Sequence, residues 1–142
     1  TDYRMKSNGA DARELLKEAV LRFNEERTEE RLLDLLQFLR DSRVFVPCSL
    51  IPDPDHKESS GYFVPEIMES DGKRFMPVFS DREEMQTYQD RFSIVRRDLT
   101  EMIGLAKNEE SVEGIVLNPF TVPFVLSRGL FDTVRRLKSR IV

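Results

Sequence analysis

The residues best equipped for chemistry crowd into one loop. Asp53, Asp55, His56 and Glu58 fall within six positions of a stretch that also carries Pro52 and Pro54. Carboxylates this close together could hold a hard cation, and an Asp-x-Asp pair opens a calcium loop. The third acid, the central glycine and the closing Glu are not at calcium-loop spacing. Zinc wants more His or Cys than a chain with one of each possesses. The plainer reading, a solvated polar loop, is preferred, and no metal is expected. Cys48 follows Val44-Phe-Val-Pro47. A catalytic thiolate needs a neighbouring base or cationic surroundings. His56 could reach it, but a cysteine after a strand reads first as buried and structural. The pairs Glu83-Glu84 and Glu109-Glu110 could do acid–base work, yet both sit at helix starts or turns, where acids are expected anyway. Gly-x-Ser-x-Gly, Gly-x-Gly-x-x-Gly and phosphate-loop patterns are absent. No catalytic residue and no cofactor is therefore expected.

Asn118-Pro119-Phe120 is the most informative point. It follows the apolar run Gly114-Ile-Val-Leu117, read as a central strand. In sheets flanked by helices, ligands sit beyond the carboxyl ends of strands. Asn118 could offer its amide to a ligand or partner, with Phe120 and Phe124 as an apolar wall. The structural alternative is that Asn118 holds a turn and Pro119 stops the strand.

The elements that must position these residues follow from periodicity. Asp11 and Glu14 stand at capping-box spacing, and Ala12, Leu15, Leu16, Ala19, Val20 and Phe23 form one helical stripe. Thr28 caps a second helix whose Leu32, Leu33, Leu35, Leu36, Phe38 and Leu39 fill more than one face. Val44–Val46 reads as a strand bounded by Pro47, with Leu50 and Ile51 extending it past a bulge. Tyr62–Met68 reads as a second strand, and Asp71-Gly72 as a tight hairpin turn into Arg74–Phe79. Ser80 and Glu83 open a helix to Asp90. Phe92–Val95 is a short strand, and Asp98 with Glu101 opens the next helix. Thr121 caps a short helix over Val122, Val125 and Leu126, ended by Gly129. Leu130, Val134, Leu137 and Ile141 mark a last helix with cations at its C-terminus. The sum is an α+β fold: a single mixed or antiparallel sheet of about five strands, helices packed against it, and two N-terminal helices.

The chain has 142 residues, 39% hydrophobic and 34% charged, with a net charge of −4. That fits one globular domain. Residues 1–10 read as a flexible N-terminal segment and 11–142 as the domain. No apolar stretch is long enough for a membrane span, and Thr1–Ala10 has no signal-peptide core. One cysteine rules out an internal disulfide and fits a reducing compartment. Charge is uneven. Residues 41–92 hold eleven acids and six bases, whereas 128–142 hold one acid and five bases. The basic end could touch RNA, but Phe131 is the only aromatic nearby to stack on bases, so nucleic acid is not expected.

Three segments, taken in order, resemble the SseB family, named for enhanced serine sensitivity, in its N-terminal domain. They are the leucine-rich helix leading into Val44-Phe-Val-Pro47, then Asp71-Gly-Lys-Arg-Phe-Met-Pro-Val-Phe-Ser80 followed by Glu83 and Glu84, then Gly114-Ile-Val-Leu-Asn-Pro119 with Phe124 and Leu126 beyond it. The resemblance covers residues 11–130. It implies a bacterial, cytoplasmic α+β domain and carries no agreed catalytic motif. The expectation is a non-enzymatic adaptor or interaction module with a protein partner, its surface around Phe120 and Phe124. The net −5 of residues 41–92 could steer it to a basic surface. A homo-oligomer is compatible with the same reading. The alternative is an amino-acid-sensing regulator, which fits the serine phenotype. It needs a polar pocket of roughly a few hundred Å³, with Asn118 and the 52–61 loop as its candidates.

Overall fold

A computed structural model describes residues 9–51 and 62–140. The polar loop at 52–61, including His56, and residues 1–8 of the N-terminal segment lie outside the described residues. No helix among the described residues is long and apolar enough to cross a membrane.

The chain opens with a helical hairpin, α1 (Gly9–Glu25) and α2 (Glu29–Arg40). The stripe on α1 is buried at Leu15, Leu16, Ala19 and Val20. Thr28 caps α2 by accepting from the Arg31 N–H at 3.2 Å, leaving Leu35, Leu36 and Leu39 in the core. Leu33 stays 45% exposed, while α2 packs against α1 and against the helices later in the chain.

The class is α+β, but the sheet is not single. β1 (Arg43–Ile51), β2 (Tyr62–Pro65) and β5 (Ser93–Asp98) form one sheet in the order β2-β1-β5. β3 (Met68–Ser70), β4 (Lys73–Val78), β6 (Gly114–Leu117) and β7 (Phe124–Ser127) form a second, in the order β3-β4-β6-β7. Only β4 and β6 run parallel. The sheets meet at one bridge, where Phe45 and Phe79 exchange both backbone hydrogen bonds at 2.8 and 2.9 Å.

Four further expectations are corrected. Pro47 lies inside β1 and does not bound it, and the register runs on without a bulge. The backbone of Pro47 faces away from β5, so its missing N–H removes no bond from that ladder, and its carbonyl accepts from Glu66 N at 2.9 Å. The expected strand at 62–68 divides into β2 and β3, which belong to different sheets. The expected helix from Ser80 to Asp90 is two single turns, α3 (Arg82–Met85) and α4 (Tyr88–Arg91), broken at Gln86 with φ 50°. The break sends Met85 into the core while Tyr88 turns to the surface aromatics. The expected helix at 121–129 is instead β7. Its alternating burial is the period of a strand, and Gly114 lets it come close: a Cβ there would stand 2.4 Å from the Leu126 carbonyl oxygen.

α5 (Leu99–Asn108) buries Leu99, Met102, Ile103 and Ala106. A 3₁₀ turn (Arg128–Leu130) leads into α6 (Phe131–Arg136), shorter than the expected helix through Ile141. Beyond it the chain is extended and clipped to α2. Arg40 Nε donates to Leu137 O at 2.8 Å and Gln37 Nε2 to Lys138 O at 2.8 Å. Those bonds hold an extended strap where further helical turns were expected. The Asp71-Gly72 turn has positive φ at both residues, 52° and 78°, as a two-residue hairpin of this twist requires.

Candidate functional site

The parallel strands β4 and β6 end side by side at Val78 and Leu117. Their continuations, Phe79-Ser80-Asp81 and Asn118-Pro119-Phe120-Thr121, build the site. Asn118 adopts φ 50°, a conformation that Asn tolerates better than most residues. Its N–H donates to Val78 O at 2.9 Å. Its side chain then closes a clasp across the strand ends: Ser80 N–H donates to Asn118 Oδ1 at 3.0 Å, and Asn118 Nδ2 donates to Ser80 Oγ at 3.0 Å. Ser80, Asp81 and Asn118 are the buried polar or charged residues among those described. All three therefore sit in one place.

Asp81 caps α3 by accepting from Glu84 N–H at 3.0 Å. From α1, Lys17 Nζ reaches Asp81 Oδ2 at 2.8 Å and Glu84 Oε2 at 3.2 Å. The Thr121 hydroxyl donates to Glu84 Oε1. Burial pushes the Asp81 carboxyl up, but the bonds from Lys17 and from Glu84 N–H outweigh it and hold it below its ordinary range. Burial likewise opposes the Lys17 charge, and the two carboxylates more than compensate, raising that amine. Lys17 is thus a fixed cation and not a base. Ser80 is 2% exposed with its hydroxyl engaged, so it is no nucleophile. The arrangement holds charge in place.

Beside the cluster lies a cavity of about 170 Å³, lined by Lys17, Val20, Leu21, Glu84, Asn118, Thr121 and Val122. Leu21 and Val122 in its wall are 49% and 41% exposed, and Phe120, next to Thr121 in the chain, is 37% exposed. Phe120 stacks on Phe79 and Tyr88 at 5.7 and 5.0 Å between ring centres, and Tyr88 meets Phe92 at 4.9 Å. Arg91 lies over both Tyr88 and Phe92.

Of the three residues singled out from the sequence, Asn118 and Phe120 come together at this end of the sheet. Phe124 does not. It points inward from β7, 7% exposed, with its ring edge-on to Phe23 at 5.9 Å. Cys48 is 1% exposed. Burial pushes its thiol up, with Arg97 partly opposing, which is the opposite of an activated thiolate. Sequence reasoning missed Lys17 and Asp81, took Ser80 and Thr121 only as helix caps, and explained Glu84, paired with Glu83, by its place at a helix start. Lys17 leaves no trace in a one-dimensional pattern, because it is simply the polar position beside the apolar stripe of α1.

A comparison with known families decides what this architecture is. The model of the SseB protein N-terminal domain matches residues 16–130. The chain belongs to the SseB N-terminal domain family. No curated protein and no solved structure matches it. The SseB match takes in Lys17, the Ser80–Glu84 corner and Asn118–Val122, so the whole cluster lies within the family domain. α6 and the strap after it lie beyond the match, yet Phe131 and Val134 are 1% and 0% exposed and complete the core.

Proposed function

We propose that this SseB-family domain is a non-enzymatic protein-interaction module of the bacterial cytoplasm, docking its partner at the carboxyl end of β6. The observation that carries the reading is the exposed apolar group Leu21, Phe120 and Val122, continued by Tyr88 and Phe92 and set on a clasp of buried, mutually satisfied polar groups. Aromatic anchors on a fixed base are what interface hot spots are made of. The test is affinity capture from lysate with the wild-type domain and with Phe120→Asp, the variant's fold being checked by its thermal transition. Loss of a stoichiometric partner on Phe120→Asp supports the reading, with at least about 30-fold weaker binding expected for a hot-spot aromatic of 2 kcal/mol. A partner retained by the folded variant removes it.

A second reading, the amino-acid-sensing regulator linked to serine sensitivity, is favoured by one observation: a cavity of about 170 Å³ that has Asn118 in its wall. It is smaller than the pocket expected from sequence. A ligand bound only by the folded state must raise its thermal stability, so a melting-temperature panel of free amino acids decides it.

A further inference from the structure

The aromatic corner of the docking surface carries three arginines whose N–H groups the molecule itself does not use. Other guanidiniums are engaged internally: Arg22 on Glu18, Arg43 on Asp98, Arg97 on Glu101, and Arg128 on backbone carbonyls at the end of α5. Arg82, Arg91 and Arg96 are exposed and make no hydrogen bond or ion pair among the described residues. Each is laid on a ring instead. Arg82 and Arg96 both lie over Phe45, at 5.7 and 5.5 Å from its centre. Arg91 lies over Tyr88 and Phe92, at 5.8 and 5.6 Å. We infer that these arginines receive an acidic segment of the protein partner, its carboxylates flanking an apolar side chain, an inference that rests on the docking reading above.

The strand register puts them along one face. Arg96 stands directly opposite Phe45 in the β1–β5 ladder, and Ile94 opposite Pro47. Phe92 continues β5 in extended backbone, with φ −129° and ψ 156°, so Phe92, Ile94 and Arg96 share a face. At about 3.3 Å per residue, Phe92 and Arg96 stand roughly 13 Å apart, with Ile94 half-buried between them. An extended partner segment matches that row with acids four residues apart and an apolar residue midway. Phe79 joins the row to the Phe120 surface: its backbone bridges to Phe45, and its ring meets Tyr88 and Phe120.

A guanidinium held flat on a ring keeps its edge N–H groups in place for a bidentate carboxylate. Two of them drawn to one ring, with no anion between them, gain most from one. The acids of residues 41–92 do not supply it. Asp81 and Glu84 are tied to Lys17, and Glu83 and Asp90, beside Arg82 and Arg91 in the chain, pair with neither. Exposed ion pairs contribute little by themselves, so Phe120 and Tyr88 supply most of the affinity and the arginines select the sign of the charge. Nucleic acid is disfavoured, because guanidiniums already lie over the rings on which bases would stack and the chain has a net charge of −4.

The experiment titrates the ¹⁵N-labelled chain with the blocked peptide acetyl-Glu-Ala-Leu-Ala-Glu-amide and follows the amides of Arg91, Ile94 and Arg96. The expected result is saturable shifts at millimolar concentration that weaken with added salt. Arg91→Gln and Arg96→Gln, each shown to melt as the wild type does, weaken binding at least about fivefold. Arg135→Gln, exposed on α6 and also without an internal partner, leaves it unchanged. The peptide with Gln in place of both Glu binds at least about tenfold more weakly. Absent shifts with the acidic peptide, or equal affinity for the Gln peptide, overturn the inference. So does tighter binding of a uridine hexanucleotide or of inorganic phosphate at the same amides. A blank titration alongside an intact Phe120-dependent partner removes only the acidic assignment. A partner retained by folded Phe120→Asp removes the docking reading, and this inference with it.

Discussion

The two ends of β6 solve the same problem differently. At its N-terminal end, backbone lies on backbone: Gly114 stands under Leu126, and no side chain fits between. There Arg128 turns its guanidinium back on α5 and the following turn, donating to Ala106 O at 2.8 Å, Glu109 O at 2.7 Å and Val112 O at 3.1 Å. That cation closes a helix end, adding a second donor to the Ala106 and Glu109 carbonyls that already accept from Glu109 N and Val112 N, a structural duty. At the C-terminal end, Asn118 does the corresponding work for the turns after β4 and β6. It is joined there by a lysine, two carboxylates, a cavity and a ring of exposed apolar side chains. Both ends are tied by one polar side chain. Only the second combines a tie with charge, space and apolar surface, and it is the end where open sheets place ligands.

The contrast can be broken at either end, and the N-terminal end has the larger expected effect. Gly114→Ala drives a Cβ into the Leu126 carbonyl, and urea denaturation should show a loss of about 3 kcal/mol from overpacking against backbone. Asn118→Ala leaves the buried Ser80 N–H without its acceptor and should lose about 2 kcal/mol in the same assay. Asn118→Gly should lose less, because glycine accepts the φ of 50° that Ala resists. Gln86 sits at φ 50°, ψ −128°, outside the regions that side chains favour. Gln86→Gly should therefore stabilise the domain by about 1 kcal/mol, visible as a higher melting temperature.

The smallest effect is a pH dependence to which the C-terminal end contributes Asp81 and Lys17. Asp81 is held below its ordinary carboxyl value of 3.8, so its contribution is complete above that value and is lost as pH falls through the lowered one. Lys17 is raised above 10.5, so its contribution is complete below that value and is lost as pH rises through the raised one. Asp81→Asn should flatten the acid limb of a stability–pH curve, and Lys17→Met the alkaline limb. An acid limb unchanged in Asp81→Asn would place the titrating group elsewhere.

Local signals made much of this legible beforehand. The α1 stripe, the Thr28 cap, the Asp71-Gly72 turn and the four buried residues of β6 each carry their structure in a few neighbouring positions. The misreadings share a physical cause, which is partners distant in sequence. Val122, Val125 and Leu126 have helical spacing, but β7 forms because Gly114 lets a strand lie close. Pro47 looks like a terminator until the direction of its backbone in the ladder is known. Phe124 and Phe120 are four residues apart and face opposite ways, since one lies on a paired strand and the other on the turn before it. Asn118 was identifiable from its place after an apolar run. Lys17 was not, because its two carboxylates are more than sixty positions away.

The measurement that tests the working-end claim most directly compares partner binding by Phe120→Asp, at the C-terminal end of β6, with Glu110→Lys, in the exposed turn before its N-terminal end. Both variants would first be shown to melt as the wild type does. The account predicts that Phe120→Asp loses the partner while Glu110→Lys keeps it. A partner lost by Glu110→Lys and kept by Phe120→Asp would contradict it and move the working surface to the other end of the strand.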